Sequence, residues 1–415
     1  MKPFDKIVCL PDLLRGTRAF PEACFDLARE PILQGCGVDI GYSPEVRTRK
    51  SAWTDGGFDP DEFRRLAGMD SESAEARKAL WAALYHAVPS RAADYLFAFI
   101  SEDTLLLTCE IPPWLRDACR DRGIHYVDLR LSPLRFGRDF YVCVRSSDAD
   151  IGRRVAEFAV ATEEIRMEAA MLAANVRMHQ RELQDYGRYH FDDLNGALLF
   201  VGQTPLDASL LGPEGRSLRC SDFADRLRLL CQGRRFLYKG HPLATEFAEE
   251  ERAQLERITG QAAAPCPLNA YQILSTHDDV ELVGISSGML QEAPWFGKTA
   301  HVLFRPFVPV DVPGNPEAPG APADCEGYQQ VHFQTFLAPA FWCQSITPGR
   351  PLPRPVAALT PVPHHHGREI FNQYWDYAKV MIWQRNLWME GFERSGGGLL
   401  RQRIEALEQG AARGQ

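Results

Sequence analysis

Apolar and polar positions along the chain fall into alternating blocks. Short, mostly apolar runs at residues 6–10, 95–100, 105–109 and 125–131 predict mostly buried strands, the pattern of a largely parallel sheet. Between them, residues 73–86 and 113–122 carry helical spacing, and the second opens on Pro113, which suits a first helical turn. This reads as an α/β lobe. Residues 148–184 are rich in Ala, Glu, Arg and Met and predict a connecting helix, in one piece or broken in two. A second alternation starts at Gly196, with strands expected at 197–201, 235–238, 280–283 and 301–304 and helices at 221–231, 244–258 and 288–296. Pro-rich stretches at 306–322 and 348–363 follow. An aromatic helix expected over 370–394 needs a hydrophobic partner, and packing on the lobes fits its interrupting charges better than membrane contact.

The expected organisation is therefore an N-terminal α/β lobe with its connecting helix (1–190), a second Rossmann-like lobe (191–345) and a Pro-rich segment with C-terminal helices (346–415). A chain of 415 residues suits two domains of about 150–200 residues. With 45% apolar and 24% charged residues it is expected to be globular. No run approaches the ~18 uncharged apolar residues of a membrane span, so the protein is expected in the cytoplasm, with room for peripheral association at the inner membrane or with an assembly complex. The net charge of −9 argues against nucleic acid as a partner, which would need a basic face. The eleven cysteines include no Cys-x-x-Cys pair. Those in apolar runs, such as Cys109 and Cys143, read as small buried hydrophobes.

Two turns carry candidate chemistry. The segment 235–243 is an apolar strand ending in Lys239-Gly240-His241-Pro242. Strand C-termini in open α/β sheets face the ligand crevice, so Lys239 can supply charge and His241 a ring donor to a phosphate, while Pro242 fixes the exit. Alone, this would be an ordinary turn. In the segment 280–298, a strand runs into Gly284-Ile285-Ser286-Ser287 and then a helix. The two hydroxyls and the first amides of that helix suit an anion, although a plain N-cap is the simpler reading of either serine. Two anion-suited turns in one lobe point to a nucleotide phosphate.

Lys239-x-His241-Pro242, followed by Ser286-Ser287 and then Glu292-Ala293-x-x-x-Gly297-Lys298, resembles bacterial capsule-synthesis transferases and, more loosely, bacterial sialyltransferases. Gly202-Gln203-x-x-x-Asp207-Ala208-Ser209 is similar to a segment of retaining β-Kdo transferases. An acidic residue usual in that pattern is replaced here by Leu206. The resemblance implies a GT-B-like fold of two Rossmann-like lobes facing a cleft, with C-terminal helices packing back on them. It implies CMP-Kdo as donor, held in the second lobe by Gly202, Gln203, Lys239, His241 and Pro242 together with Gly284, Ser286, Ser287 and Glu292. A saccharide or lipid-linked saccharide would be the acceptor, in lipopolysaccharide, O-antigen or capsule synthesis. The aspartate of the pattern, here Asp207, is the implied nucleophile. A carboxylate suits capture of the oxocarbenium-like anomeric carbon of a ketose, although an Asp just past a strand is commonly a turn former.

Glu110 stands where an expected strand gives way to a proline-started helix, a place from which a carboxylate can face the cleft and take a proton from an acceptor hydroxyl. A helix N-terminal charge is its simpler reading, and Glu102 with Asp103 form a rival pair. Arg130 and Arg135 are candidates for binding a sugar carboxylate or an anionic acceptor, with plain surface arginines as the simpler reading. His364, His365 and His366 lack carboxylate or cysteine partners at ligand spacing, and Asp192-Asp193 falls short of an Asp-x-Asp site, so no metal or other cofactor is expected. The alternatives are an inverting, sialyltransferase-like enzyme with Glu110 or the 102–103 pair as base, and a noncatalytic polysaccharide-assembly protein that has kept the fold.

Overall fold

The computed structural model describes residues 4–15, 19–42, 58–69, 73–137, 140–185, 193–205, 207–241, 244–304 and 327–352. The first lobe runs β1 (Lys6–Leu10), α1 (Ala19–Cys36), β2 (Asp39–Tyr42), α2 (Pro60–Ala67), α3 (Ala74–Leu84), α4 (Ser90–Phe97), β3 (Thr104–Cys109), α5 (Pro113–Arg122), β4 (His125–Leu131) and β5 (Tyr141–Ser146). Helices α6 (Ala149–Ala156) and α7 (Thr162–Asp185) form the expected connection, broken in two. The second lobe follows with β6 (Ala197–Val201), α8 (Ala224–Cys231), β7 (Arg235–Lys239), α9 (Thr245–Thr259), β8 (Ala264–Pro265), α10 (Ala270–Ser275), β9 (Glu281–Gly284), α11 (Gly288–Glu292) and β10 (Ala300–Val302). Then come β11 (Gln329–His332), α12 (Phe333–Phe336) and α13 (Pro339–Ile346). The fold is α/β, with two Rossmann-like lobes in a GT-B-like arrangement.

The strands are buried because both sheet faces are covered. All six residues of β3 and all five of β6 are buried. Successive residues of β1 enter different cores, as strand pleating requires. Ile7 and Cys9 pack with α1 and α13, whereas Val8 and Leu10 pack with α2 to α5. Cys109 and Cys143 are buried as expected, and burial pushes the Cys143 thiol up to about 12.

The first sheet has the order β11-β5-β4-β3-β1-β2 and the second β10-β9-β6-β7-β8. Within the second sheet every pair is parallel, while in the first β5 runs antiparallel to both its neighbours, β4 and β11. In each sheet the chain winds outward from one strand in one direction and later in the other. The order therefore reverses between β1 and β3 in the first lobe and between β6 and β9 in the second. Ligand crevices in such sheets lie outside the carboxyl ends of strands at this switch point.

Two sequence expectations need correction. Residues 95–100 do not form a strand. Tyr95, Leu96 and Phe97 close helix α4, which buries Ala92, Ala93 and Leu96 on one face, because a short apolar run does not itself distinguish helix from strand. Residues 329–345, expected in the second lobe, complete the first: β11 pairs with β5, and α13 packs on α1, with Phe333, Phe336 and Trp342 fully buried in that core. The aromatic segment 370–394 and His364 to His366 lie outside the described residues.

The lobes exchange segments. Leu134, Phe136 and Tyr141 of the first lobe sit in the core of the second, and Ala208 and Leu211 of the second sit in the core of the first. No described helix is long and apolar enough to cross a membrane.

Candidate functional site

Each switch point is bridged by a side chain that reaches from one strand end to the other. In the first lobe, Arg15 lies in the turn after β1 and forms an ion pair with Glu110, the residue after β3. The Arg15 turn is pinned by Asp12, whose Oδ1 accepts the Leu14 amide at 3.0 Å and whose Oδ2 accepts Trp81 Nε1 at 2.8 Å. The guanidinium stands over the Trp81 ring, 5.6 Å from its centroid.

Glu110 has φ +55°, the left-handed region that costs an L residue with a side chain. Its neighbours enforce this conformation. The Glu110 amide donates to Leu129 O at 3.0 Å, and the Ile111 amide donates to Asp128 Oδ1 at 2.9 Å. Asp128, wholly buried, also accepts Thr108 Oγ1, Arg130 Nε and the Tyr328 hydroxyl. Strained backbone held in this way is typical of functional positions. Arg130, a candidate anion binder in the sequence, is instead buried and paired with Asp128. Glu102 and Asp103 precede β3 and so lie at the far end of a six-residue strand, about 20 Å from Glu110, which removes them as rivals.

In the second lobe, Gln203 after β6 joins three segments. Its Oε1 accepts the Ser286 amide at 2.7 Å, beyond the end of β9, and its Nε2 donates to Ser209 Oγ at 3.1 Å. Glycines make this close approach possible. A Cβ on Gly202 would come within 2.5 Å of Glu251 Oε2, and one on Gly284 within 2.9 Å of Val201 O. Asp207 begins the 3-10 turn Ala208–Leu210, where its Oδ1 accepts the Ser209 amide at 3.0 Å. Ala208 beside it is anchored in the first lobe, so the turn is held from both sides.

Charge brings the two crevices together. Burial opposes ionisation of Arg15, but the carboxylates of Glu110, Asp12 and Asp207 more than compensate and raise its pKa. Burial lowers the pKa of His241; Arg135 and Lys239 add to that effect and Asp207 opposes it. His241 is thus neutral near pH 7, a donor or acceptor without formal charge. Asp207, Glu110, Lys239 and His241, named from sequence on separate grounds, converge with Arg15 and Arg135 on one interlobe region. Pro242 lies outside the described residues.

Two expected donor-binding groups serve the architecture. The Ser286 amide is taken by Gln203 and is not available to an anion. Glu292 is buried, and its Oε1 accepts the Arg135 amide at 2.7 Å and the Tyr271 hydroxyl at 2.8 Å, so it fastens the lobes together. Arg15 and Asp12 were missed, because an isolated Asp-Leu-Leu-Arg turn carries no signal until β1 and β3 are known to be neighbours. A cavity of about 600 Å³ opens beside this region, between α3 and the 203–222 segment, lined among others by Lys78, Gln203, Leu210, Arg219 and Phe247.

No protein-family model matches the chain, and neither does any curated protein. Among solved structures, it is similar to KpsC of Thermosulfurimonas dismutans, a β-Kdo 2,7-transferase, with 14% identity and a TM-score of 0.31 over 66% of this chain and 96% of that one. The roles of individual residues rest on the geometry above.

Proposed function

We propose that the protein is a glycosyltransferase that moves Kdo from CMP-β-Kdo to a saccharide acceptor with retention, in bacterial surface polysaccharide synthesis at the cytoplasmic face of the inner membrane. The observation that carries this reading is the Asp207 turn, held at the second-lobe switch point within the field of Arg15 and His241 and opposite Glu110. In the first displacement the anomeric carbon–oxygen bond to CMP breaks and the phosphate takes the electron pair. Lys239 and His241, at and just beyond the end of β7, would meet the developing phosphate charge. Asp207 forms the new bond to the anomeric carbon. In the second displacement an acceptor hydroxyl replaces Asp207 and gives its proton to a base, for which Glu110 is the candidate. No step requires a metal ion.

A second reading is favoured by the cap that Asp207 forms with Ser209, since a turn-forming Asp does the same without catalysis. In that case a single displacement with Glu110 as base would invert the anomeric carbon. The donor is tested by nucleotide release from CMP-, UDP- and GDP-sugars in the presence of saccharide acceptors. Release of CMP from CMP-Kdo is expected. Release only from a UDP- or GDP-sugar, or from none, would remove the assignment.

A further inference from the structure

We infer that Arg15 is the specificity-determining residue that binds the carboxylate of an acidic donor sugar; this rests on the donor proposed above. In a 2-keto acid sugar such as Kdo the carboxylate is bonded to the anomeric carbon, the same atom that carries the phosphate oxygen and that Asp207 must reach. The carboxylate is therefore recognised within a few ångströms of Asp207 or not at all.

That neighbourhood already holds the carboxylates of Asp207 and Glu110. A third negative charge there needs a cation, and the described cations divide by place. Lys239 closes β7, and it and Arg135 act on His241, which puts them on the phosphate side. Arg15 acts on both Glu110 and Asp207, which puts it on the sugar side, whereas Arg130, which also acts on Glu110, is buried and held by Asp128 and Tyr328.

The side chain also suits the task. A guanidinium offers a planar fork that a carboxylate can accept in bidentate fashion, and it keeps its charge when desolvated. Asp12 and Trp81 fix the turn and the face of the guanidinium before any ligand arrives, so little order is lost on binding. Glu110 holds the guanidinium at the crevice and would share it once the donor carboxylate arrives.

The test crosses protein and ligand. CMP-Kdo and its C1 carboxamide are compared as donors for the unaltered protein, Arg15→Gln and Arg15→Lys, with CMP alone as a binding control. Loss of a charge-assisted contact predicts that Arg15→Gln raises the donor KM roughly 10- to 100-fold, while CMP affinity changes less than about twofold. Arg15→Lys should fall between, because charge remains without the fork. For the unaltered protein the carboxamide should be the poorer donor by a similar factor, and in Arg15→Gln the two donors should be equal. If the carboxamide costs the same factor in both proteins, Arg15 acts only through Glu110 and the inference fails while the donor assignment stands. If the unaltered protein does not turn over CMP-Kdo, the donor assignment fails and takes this inference with it.

Discussion

Gln203 Oε1 accepts the Ser286 amide at 2.7 Å, so the loops leaving β6 and β9 are joined directly across the switch point of the second lobe. The same side chain donates to Ser209, two residues from Asp207. A buried amide thus ties the proposed nucleophile's turn to the Ser286-Ser287 turn.

Replacing Gln203 with Leu would leave a buried amide and a buried hydroxyl without their partner. A loss of about 1–3 kcal/mol in stability is expected, measured by urea unfolding. Transfer should fall further than stability explains, because the Asp207 turn loses its link to β9. Unchanged unfolding and unchanged turnover would show that the bridge contributes to neither.

His241 yields a pH prediction. Burial lowers its pKa below the ordinary value of about 6.5, so the free protein holds the ring neutral at pH 7. A bound phosphate adds negative charge and moves that pKa back up. Binding therefore takes up a proton, by at most one per site, and nucleotide affinity should rise as pH falls from about 7.5 toward 6. Because the nucleotide phosphate also titrates, the measurement is the difference in calorimetric affinity between the unaltered protein and His241→Gln across that range. Parallel curves would mean that His241 does not sense the phosphate.

Glu110 separates conformation from chemistry. Glu110→Gln keeps a side chain at φ +55° and a hydrogen-bond acceptor for Arg15, but removes the negative charge. Transfer should slow by about 100-fold or more if Glu110 is the base, with CMP affinity intact. Glu110→Gly, which relaxes the backbone, should be equally slow. Full transfer in the Gln variant would leave Glu110 as the anchor of Arg15 alone.

How much of this was legible depended on how local each signal is. Strands β1, β3 and β6 were readable because their residues are apolar almost without break, and β4 and β7 because apolar residues dominate their interiors. Lys239 and His241 were named because strand C-termini have a fixed relation to the crevice, and Asp207 because its segment is similar to one of retaining β-Kdo transferases. Arg15 was not, since its meaning comes from β1 lying beside β3, strands separated by more than ninety residues. The return of β11 to the first sheet was hidden for the same reason. Glu292 misled because its local motif says nothing of Arg135, whose amide it accepts from the other lobe.

Asp207→Asn gives the most direct test of mechanism. Asn Oδ1 can still accept the Ser209 amide, and the side chain is close to isosteric, so the 3-10 turn and the packing of Ala208 and Leu211 in the first lobe should survive. The variant should therefore unfold at nearly the same urea concentration as the unaltered protein and bind CMP. Its transfer should be almost abolished, because an amide is a far poorer nucleophile than a carboxylate. With CMP-Kdo and no acceptor, the unaltered protein should gain the mass of one Kdo residue, mapped by peptide mass spectrometry to Asp207. Two displacements at one carbon each invert it, so the product should keep the β configuration of the donor. An α-linked product, or full transfer by the Asn variant, would overturn double displacement. Asp207 would then be a turn former, and the reaction a single displacement with Glu110 as base.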